Sequence, residues 1–196
     1  TGLTHKDVSV LALDPLTSST LYAGTRGGGA FRSTDSGATW VAVRTGLPEL
    51  DVRALAIDPA NPTRLYSGTP SYGVSRSTDS GATWAAAREG LANLRTSALA
   101  IDPRNPATLF AGTHRGGIHR STDSGGSWTA VNVGLPPYLD YLYVNSLAID
   151  PMNPANVYAG TSSRFFKSID SGGSWVAANS GPNFPDVLLA VAVDPA

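Results

Sequence analysis

The chain has 196 residues, 41% of them hydrophobic and 15% charged, with 14 basic side chains against 15 acidic ones. That length can bury one sizeable core or one array of small units. A net charge of −1 excludes a binder of nucleic-acid backbone, which needs a basic stripe; the absence of cysteine excludes disulfides and thiolate metal sites. No apolar run approaches the roughly 18 residues of a membrane span, so no membrane insertion is expected.

In chain order, Val8–Leu13 is an almost unbroken apolar run closed by Asp14-Pro15, whose proline cannot donate to a ladder. Thr20–Ala23 follows, then Gly24, a glycine-rich turn (Gly27, Gly28, Gly29), Ala30–Ser33, the turn Asp35-Ser36-Gly37, and Thr39–Val43. Strands this short with turn signals between them predict an all-β fold.

The same unit then recurs. Ser33-Thr34-Asp35-Ser36-Gly37-Ala38-Thr39-Trp40 returns as Ser77 to Trp84, Ser121 to Trp128 and Ser168 to Trp175, with tryptophan spacings of 44, 44 and 47. A Leu-Ala-(Leu/Ile)-Asp-Pro motif ends at Pro15, Pro59, Pro103 and Pro151, and a variant ends at Pro195. A repeat of about 44 residues with four strands predicts a blade of a β-propeller. The array fills residues 1–196 as blades at about 7–44, 51–88, 95–132 and 143–178, with a partial fifth repeat at 187–195. The fold expected is all-β: four blades of four antiparallel strands each, plus a surplus inner strand at Val187–Val193. A homodimer completing a larger, eight-bladed ring leaves that strand surplus as well; a piece of a longer propeller accounts for it most simply.

The Ser-x-Asp-x-Gly-x-(Thr/Ser)-Trp octet resembles the Asp-box, or BNR repeat, of propellers such as sialidases, sortilin-type receptors, xyloglucan-cleaving glycosidases and a photosystem II assembly factor. The resemblance covers all four units and implies a propeller; a secreted or periplasmic location follows from it alone. Receptors, assembly factors and enzymes share the box, so it selects no function. Its own chemistry reads as structural. Asp35, Asp79, Asp123 and Asp170 accept backbone N–H groups across their turns, the box glycines take positive φ, and Trp40, Trp84, Trp128 and Trp175 lock each hairpin. A calcium loop fails, because the twelfth position from each aspartate is Gly46, Gly90, Gly134 or Gly181 where a bidentate glutamate is required. No metal and no cofactor are expected.

Residues that break the repeat are the candidates for function. Seven residues before each Asp-Pro aspartate stand Asp7, Asp51, Arg95, Tyr143 and Val187, which should line a channel mouth. Asp7 and Asp51 are weak candidates for the paired carboxylates of a glycosidase. The connection Pro136-Pro137-Tyr138-Leu139-Asp140-Tyr141-Leu142-Tyr143 is four residues longer than its counterparts, and such an aromatic, proline-stiffened loop suits a sugar or a protein partner. Tyr72 and the strand-two to strand-three loops, with Arg26, His114, Arg115 and Arg164, open on the same face. The expected ligand-binding set is Tyr72, Tyr138, Tyr141, Tyr143, Arg95, His114 and Arg115. The leading expectation is a non-enzymatic propeller that binds a glycan or protein; the alternative is a glycoside hydrolase.

Overall fold

A computed structural model describes residues 1–139, 142–162, 164–178 and 188–194. Among the described residues are sixteen strands in four antiparallel sheets, each a simple meander in chain order. The first sheet holds β1 (Val8–Leu13), β2 (Leu21–Thr25), β3 (Gly29–Ser33) and β4 (Val41–Ala42); the second holds β5 (Ala54–Ile57), β6 (Leu65–Thr69), β7 (Gly73–Ser77) and β8 (Ala85–Ala86). The third is β9 (Thr96–Ile101), β10 (Leu109–Thr113), β11 (Gly117–Ser121) and β12 (Thr129–Ala130); the fourth is β13 (Val144–Ile149), β14 (Val157–Thr161), β15 (Phe165–Ser168) and β16 (Val176–Ala177). The second strands begin one residue later than the sequence suggests. The fourth are cut to two residues, because the octet turn consumes the residues before them.

The chain divides into two compact units. One comprises Thr1–Arg88 with Leu94–Thr96, the other Glu89–Asn93 with Ser97–Ala196. In the first, Tyr22, Ala30, Val52, Leu55, Leu65 and Trp84 form a buried cluster. In the second, Phe110, Ile118, Val144, Val157, Phe166 and Trp175 do the same. Each cluster mixes residues of two consecutive sheets, so the burial that stabilises a blade comes from its neighbour.

The octet is a closed hydrogen-bond network. The Ser33 hydroxyl donates to Asp35 Oδ1 at 2.7 Å, and the Gly37 N–H donates to Ser33 Oγ at 2.9 Å. The Thr39 N–H and hydroxyl donate to the two Asp35 oxygens at 2.8 and 2.6 Å. The same bonds recur around Asp79, Asp123 and Asp170. These donors hold the carboxyls of Asp35, Asp123 and Asp170 at about 2, well below the usual carboxylate value, with the threonine or serine hydroxyl bonds among the main causes. Ser36, Ser80, Ser124 and Ser171, beside the glycine, also adopt left-handed backbone at φ of 57, 59, 59 and 56°. The sequence reading assigned that role to the glycine alone; the serines tolerate the strain because the network fixes residues on both sides.

The Asp-Pro turns are equally regular. Asp14 Oδ1 accepts the N–H groups of Leu16 and Thr17, and Asp58, Asp102 and Asp150 repeat the pattern. Asp58 is buried and paired with Arg64 at 3.0 Å. Each turn then meets its own octet through one backbone bond, such as Ser36 N–H to Ser19 O at 2.9 Å. Octet and Asp-Pro turn therefore share one end of each blade, and the β2–β3 type loops occupy the other.

Where one blade's first strand lies on the preceding blade, a glycine makes room. A Cβ built on Gly112 would stand 2.5 Å from Val144 Cγ1 and 2.9 Å from its Cβ. Gly112→Ala is expected to lower the unfolding free energy by about 1–3 kcal/mol, read by urea titration of intrinsic fluorescence. Residues 188–194 take the corresponding place on the fourth blade. The Leu188 N–H donates to Thr161 O at 2.9 Å, the Asn145 amide donates to Leu188 O at 3.0 Å, and Leu188 and Val191 face Gly160. Among the described residues this segment forms no sheet ladder. Val187, the start of the expected strand, lies outside the described residues.

Candidate functional site

In the first and third blades the loop between the second and third strands meets the connection that leads to the next blade, and in the fourth it meets the connection that leads in. The bonds are backbone ones: Gly27 and Gly29 N–H to Leu50 O, Arg115 N–H to Leu142 O, and Ser162 N–H to Tyr143 O. This end of each blade carries the side chains that break the repeat.

In the first unit it gathers charge. Asp51 accepts a bidentate fork from Arg53, at 2.6 Å from Nε and 2.7 Å from Nη2. That hydrogen bond is the main cause of a raised Arg53 pKa, to which the charges of Asp7 and Glu49 also contribute. Asp7 stands 3.9 Å from Arg26 Nε, and Arg26 N–H donates to Asp7 O. A Glu49 oxygen accepts the Ser71 N–H at 2.8 Å. The two carboxylates singled out as acid and base are thus each set against an arginine, and both Asp51 oxygens are engaged.

Beside Ser71, Tyr72 is half-buried and carries the Arg88 guanidinium 3.7 Å from its ring centroid. Arg88 also donates to Tyr72 O at 3.3 Å. It repeats Arg44, which donates to Gly28 O, and Asn132, which donates to Gly116 O. The repeat thus supplies a loop clamp at this register, and Tyr72 adds a cation–π stack to it.

In the second unit, three of the predicted binding residues come together. His114 and Tyr143 form an isolated antiparallel bridge, with ring centroids 4.7 Å apart and tilted by 60°. Arg115, at a left-handed φ of 63°, reaches the Tyr143 hydroxyl at 3.5 Å. Tyr143 is held by its backbone: its N–H donates to Ser162 Oγ at 3.2 Å, and its carbonyl accepts the Ser162 N–H at 2.9 Å. The half-buried ring is therefore fixed before any ligand arrives, which lowers the ordering cost of binding. Tyr138 is 77% exposed in the long connection, and Arg95 is exposed where the chain enters β9. Tyr141 lies outside the described residues.

Sequence reasoning missed Arg53, Arg88 and Ser162. Arg88 was legible as a member of the 44, 88, 132 register. Arg53 and Ser162 carried no signal, since their roles depend on the folding back of one loop onto the next.

No family model matches the chain, and no curated protein is significantly similar to it. Solved structures are. An ancestral GH74 enzyme superposes with a TM-score of 0.78 at 24% identity, over 91% of this chain and 25% of its own. The GH74 enzyme of Niastella koreensis gives 0.71 at 27% identity, over 89% of this chain and 30% of its own. The extracellular domain of a one component system from B. thetaiotaomicron gives 0.73 at 20% identity, over 96% and 25%. The chain spans a quarter to a third of the length of these proteins. Four antiparallel four-stranded sheets, superposing on these propellers, give this chain the β-propeller fold.

Proposed function

We propose that the chain is a non-enzymatic propeller, exported from the cytoplasm, that binds a glycan through the loop end of its blades. The observation that carries this reading is the His114–Arg115–Tyr143 cluster, a fixed aromatic face with two polar groups at its edge. Tyrosine presents an apolar face and a polar tip, which matches the alternating C–H and hydroxyl surfaces of a sugar ring. Tyr72 on Arg88 provides a second such face. Tyr138 and Arg95 are proposed as outlying contacts, with Tyr141 added from the sequence. Xyloglucan is the first ligand to try, since a GH74 xyloglucanase of Xanthomonas campestris superposes on 91% of this chain at a TM-score of 0.73. The extracellular origin of the sensor-domain neighbour supports export.

Binding is favoured over hydrolysis because Asp51 spends both oxygens on Arg53. A glycosidase needs one carboxyl free to give up a proton.

Titration calorimetry with xyloglucan oligosaccharides tests the reading. Tyr143→Ala is expected to weaken binding about tenfold or more, whereas Tyr143→Phe retains most of it and Asp51→Asn leaves it unchanged. No heat of binding from xyloglucan or other soluble plant glucans would overturn the proposal. Reducing sugar released by the unaltered chain and lost in Asp51→Asn would establish the hydrolase instead.

A further inference from the structure

Arg115 occupies a position that the first blade gives to glycine. Its counterpart there is Gly27, at a left-handed φ of 88°, and a Cβ built on Gly27 meets nothing within 4 Å. Glycine at that point serves the backbone alone, and a side chain placed there projects into open space. In the second blade Pro70 precedes the position and Ser71 is not left-handed. The third blade keeps the left-handed turn, at a φ of 63°, and gives it to an exposed arginine. Apart from the four octet serines, Arg115 is the one described residue other than glycine in this conformation. A left-handed Cβ is crowded by the following carbonyl, so for the backbone glycine would serve here with less strain.

The far end of the side chain has a use that glycine could not supply. Arg115 Nη2 reaches the Tyr143 hydroxyl at 3.5 Å. Arginine has no acceptor, so the phenol oxygen accepts and its own hydrogen points away. Guanidinium N–H groups and a phenol O–H thus stand side by side as donors, next to the half-buried Tyr143 ring that His114 abuts at 4.7 Å. Arg164, exposed on the β14–β15 loop, adds a second cation at this end of the blades. Among the described residues of the β10–β11 loop, the β14–β15 loop and the connection 132–144, these two arginines carry the only full charges. Asp140 lies outside the described residues.

A cationic donor beside a neutral one complements the two oxygens of a carboxylate, and a fixed aromatic face alongside complements a pyranose ring. We infer that Arg115 determines the specificity of this site, and that the sugar it selects is a uronic acid. The carboxylate lies on the Arg115 guanidinium and the Tyr143 hydroxyl, with the ring against the Tyr143 face. This inference rests on the glycan reading given above. An acidic peptide would satisfy the guanidinium as well; the aromatic face favours the sugar.

Titration calorimetry of the full chain with three ligands tests it: cellotetraose, the same tetrasaccharide with every C6 oxidised to a carboxylate, and the methyl ester of that acid. Each ring of the acid carries the group, whichever ring docks. The acid is expected to bind about tenfold or more tightly than cellotetraose or the ester. That ratio shrinks as sodium chloride rises from about 0.05 to about 0.5 M. Arg115→Gly brings the ratio to about one while its urea midpoint stays at or above that of the unaltered chain, a combination that a merely structural arginine does not produce. Arg115→Gln keeps a hydrogen-bonding side chain without the charge and loses the ratio too. Equal binding of acid and ester would overturn the inference, as would a ratio that survives in either variant or a lowered urea midpoint in Arg115→Gly. A tetraglutamate peptide that binds as tightly as the acid would make the ligand a peptide and overturn it also. Heat from cellotetraose with no preference for the acid sinks the uronic acid alone; heat from none of the sugars sinks the glycan reading with it.

Discussion

Replacing His119 with phenylalanine is expected to stabilise the protein in mildly acidic solution and to flatten its stability between pH 6.5 and 4. His119 is fully buried on β11 at the register held by Phe31 and Phe166 in the first and fourth blades, where those rings are 1% and 2% exposed. Its Nε2 accepts the Ala92 N–H at 3.2 Å and its Nδ1 has no partner. Burial pushes its pKa down from 6.5 to about 4. As pH falls below 6.5 the unfolded chain takes up a proton that the folded chain refuses until about pH 4. Stability is therefore full above 6.5 and is lost on the way down to 4. A gap of about 2.5 between the two pKa values corresponds to about 3 kcal/mol. Below pH 4 a protonated Nε2 can no longer accept from Ala92, and the connection through Glu89–Asn93 loses its tether. His119→Phe removes this limb of the pH profile. The octet aspartates supply a separate limb: their folded pKa values lie below the unfolded value of 3.8, so their contribution is present above that value and fades toward pH 2. Urea midpoints measured from pH 7 to 3 should show the variant flat until the second limb begins. A variant that tracks the parent between 6.5 and 4 would place the titration elsewhere.

Trp84→Ala should be the most damaging single truncation in the first unit, lowering the unfolding free energy by about 3–5 kcal/mol. Trp84 is 6% exposed, and its indole donates to Val43 O while its backbone N–H donates to Thr45 O. Removal opens a cavity between two blades and strands the Val43 carbonyl. Trp40→Ala, the same substitution at the same repeat position, is expected to cost about half as much or less, because Trp40 is partly exposed and its indole bonds only its own turn. Equal losses in the two variants, measured by denaturant titration, would show that the octet tryptophan acts within its hairpin and not across the blade interface.

The fold was readable because it was written four times. Asp-Pro, the octet and the second strand, which ends in Gly-Thr at Thr25, Thr69, Thr113 and Thr161, each fix a turn or a pairing locally, and four agreeing copies removed the ambiguity of short apolar runs. The left-handed serines escaped notice because the flanking glycine already explained the turn. The candidate site was legible only as a list. Tyr143, His114 and Arg115 stand 28 or 29 residues apart in sequence, and their meeting depends on a loop bond, Arg115 N–H to Leu142 O, that no local pattern encodes. The engagement of Asp51 by Arg53 was hidden for a different reason: both lie in the connection before β5, outside the alternation of a strand, and sequence does not say which of many neighbouring charges will pair.

The octet closes its hydrogen bonds within eight residues, at the end of the blade opposite the variable loops. A duplicated copy therefore arrives with its own fastening already made, and needs nothing from the loops at the far end to fold. Those loops are Arg26-Gly27-Gly28-Gly29 in one copy, Pro70-Ser71-Tyr72-Gly73 in the next and His114-Arg115-Gly116-Gly117 in the third. They are free to drift while the hinge of each blade stays shut. Such an architecture separates inheritance from experiment: new chemistry can be tried one blade at a time without endangering the array that carries it.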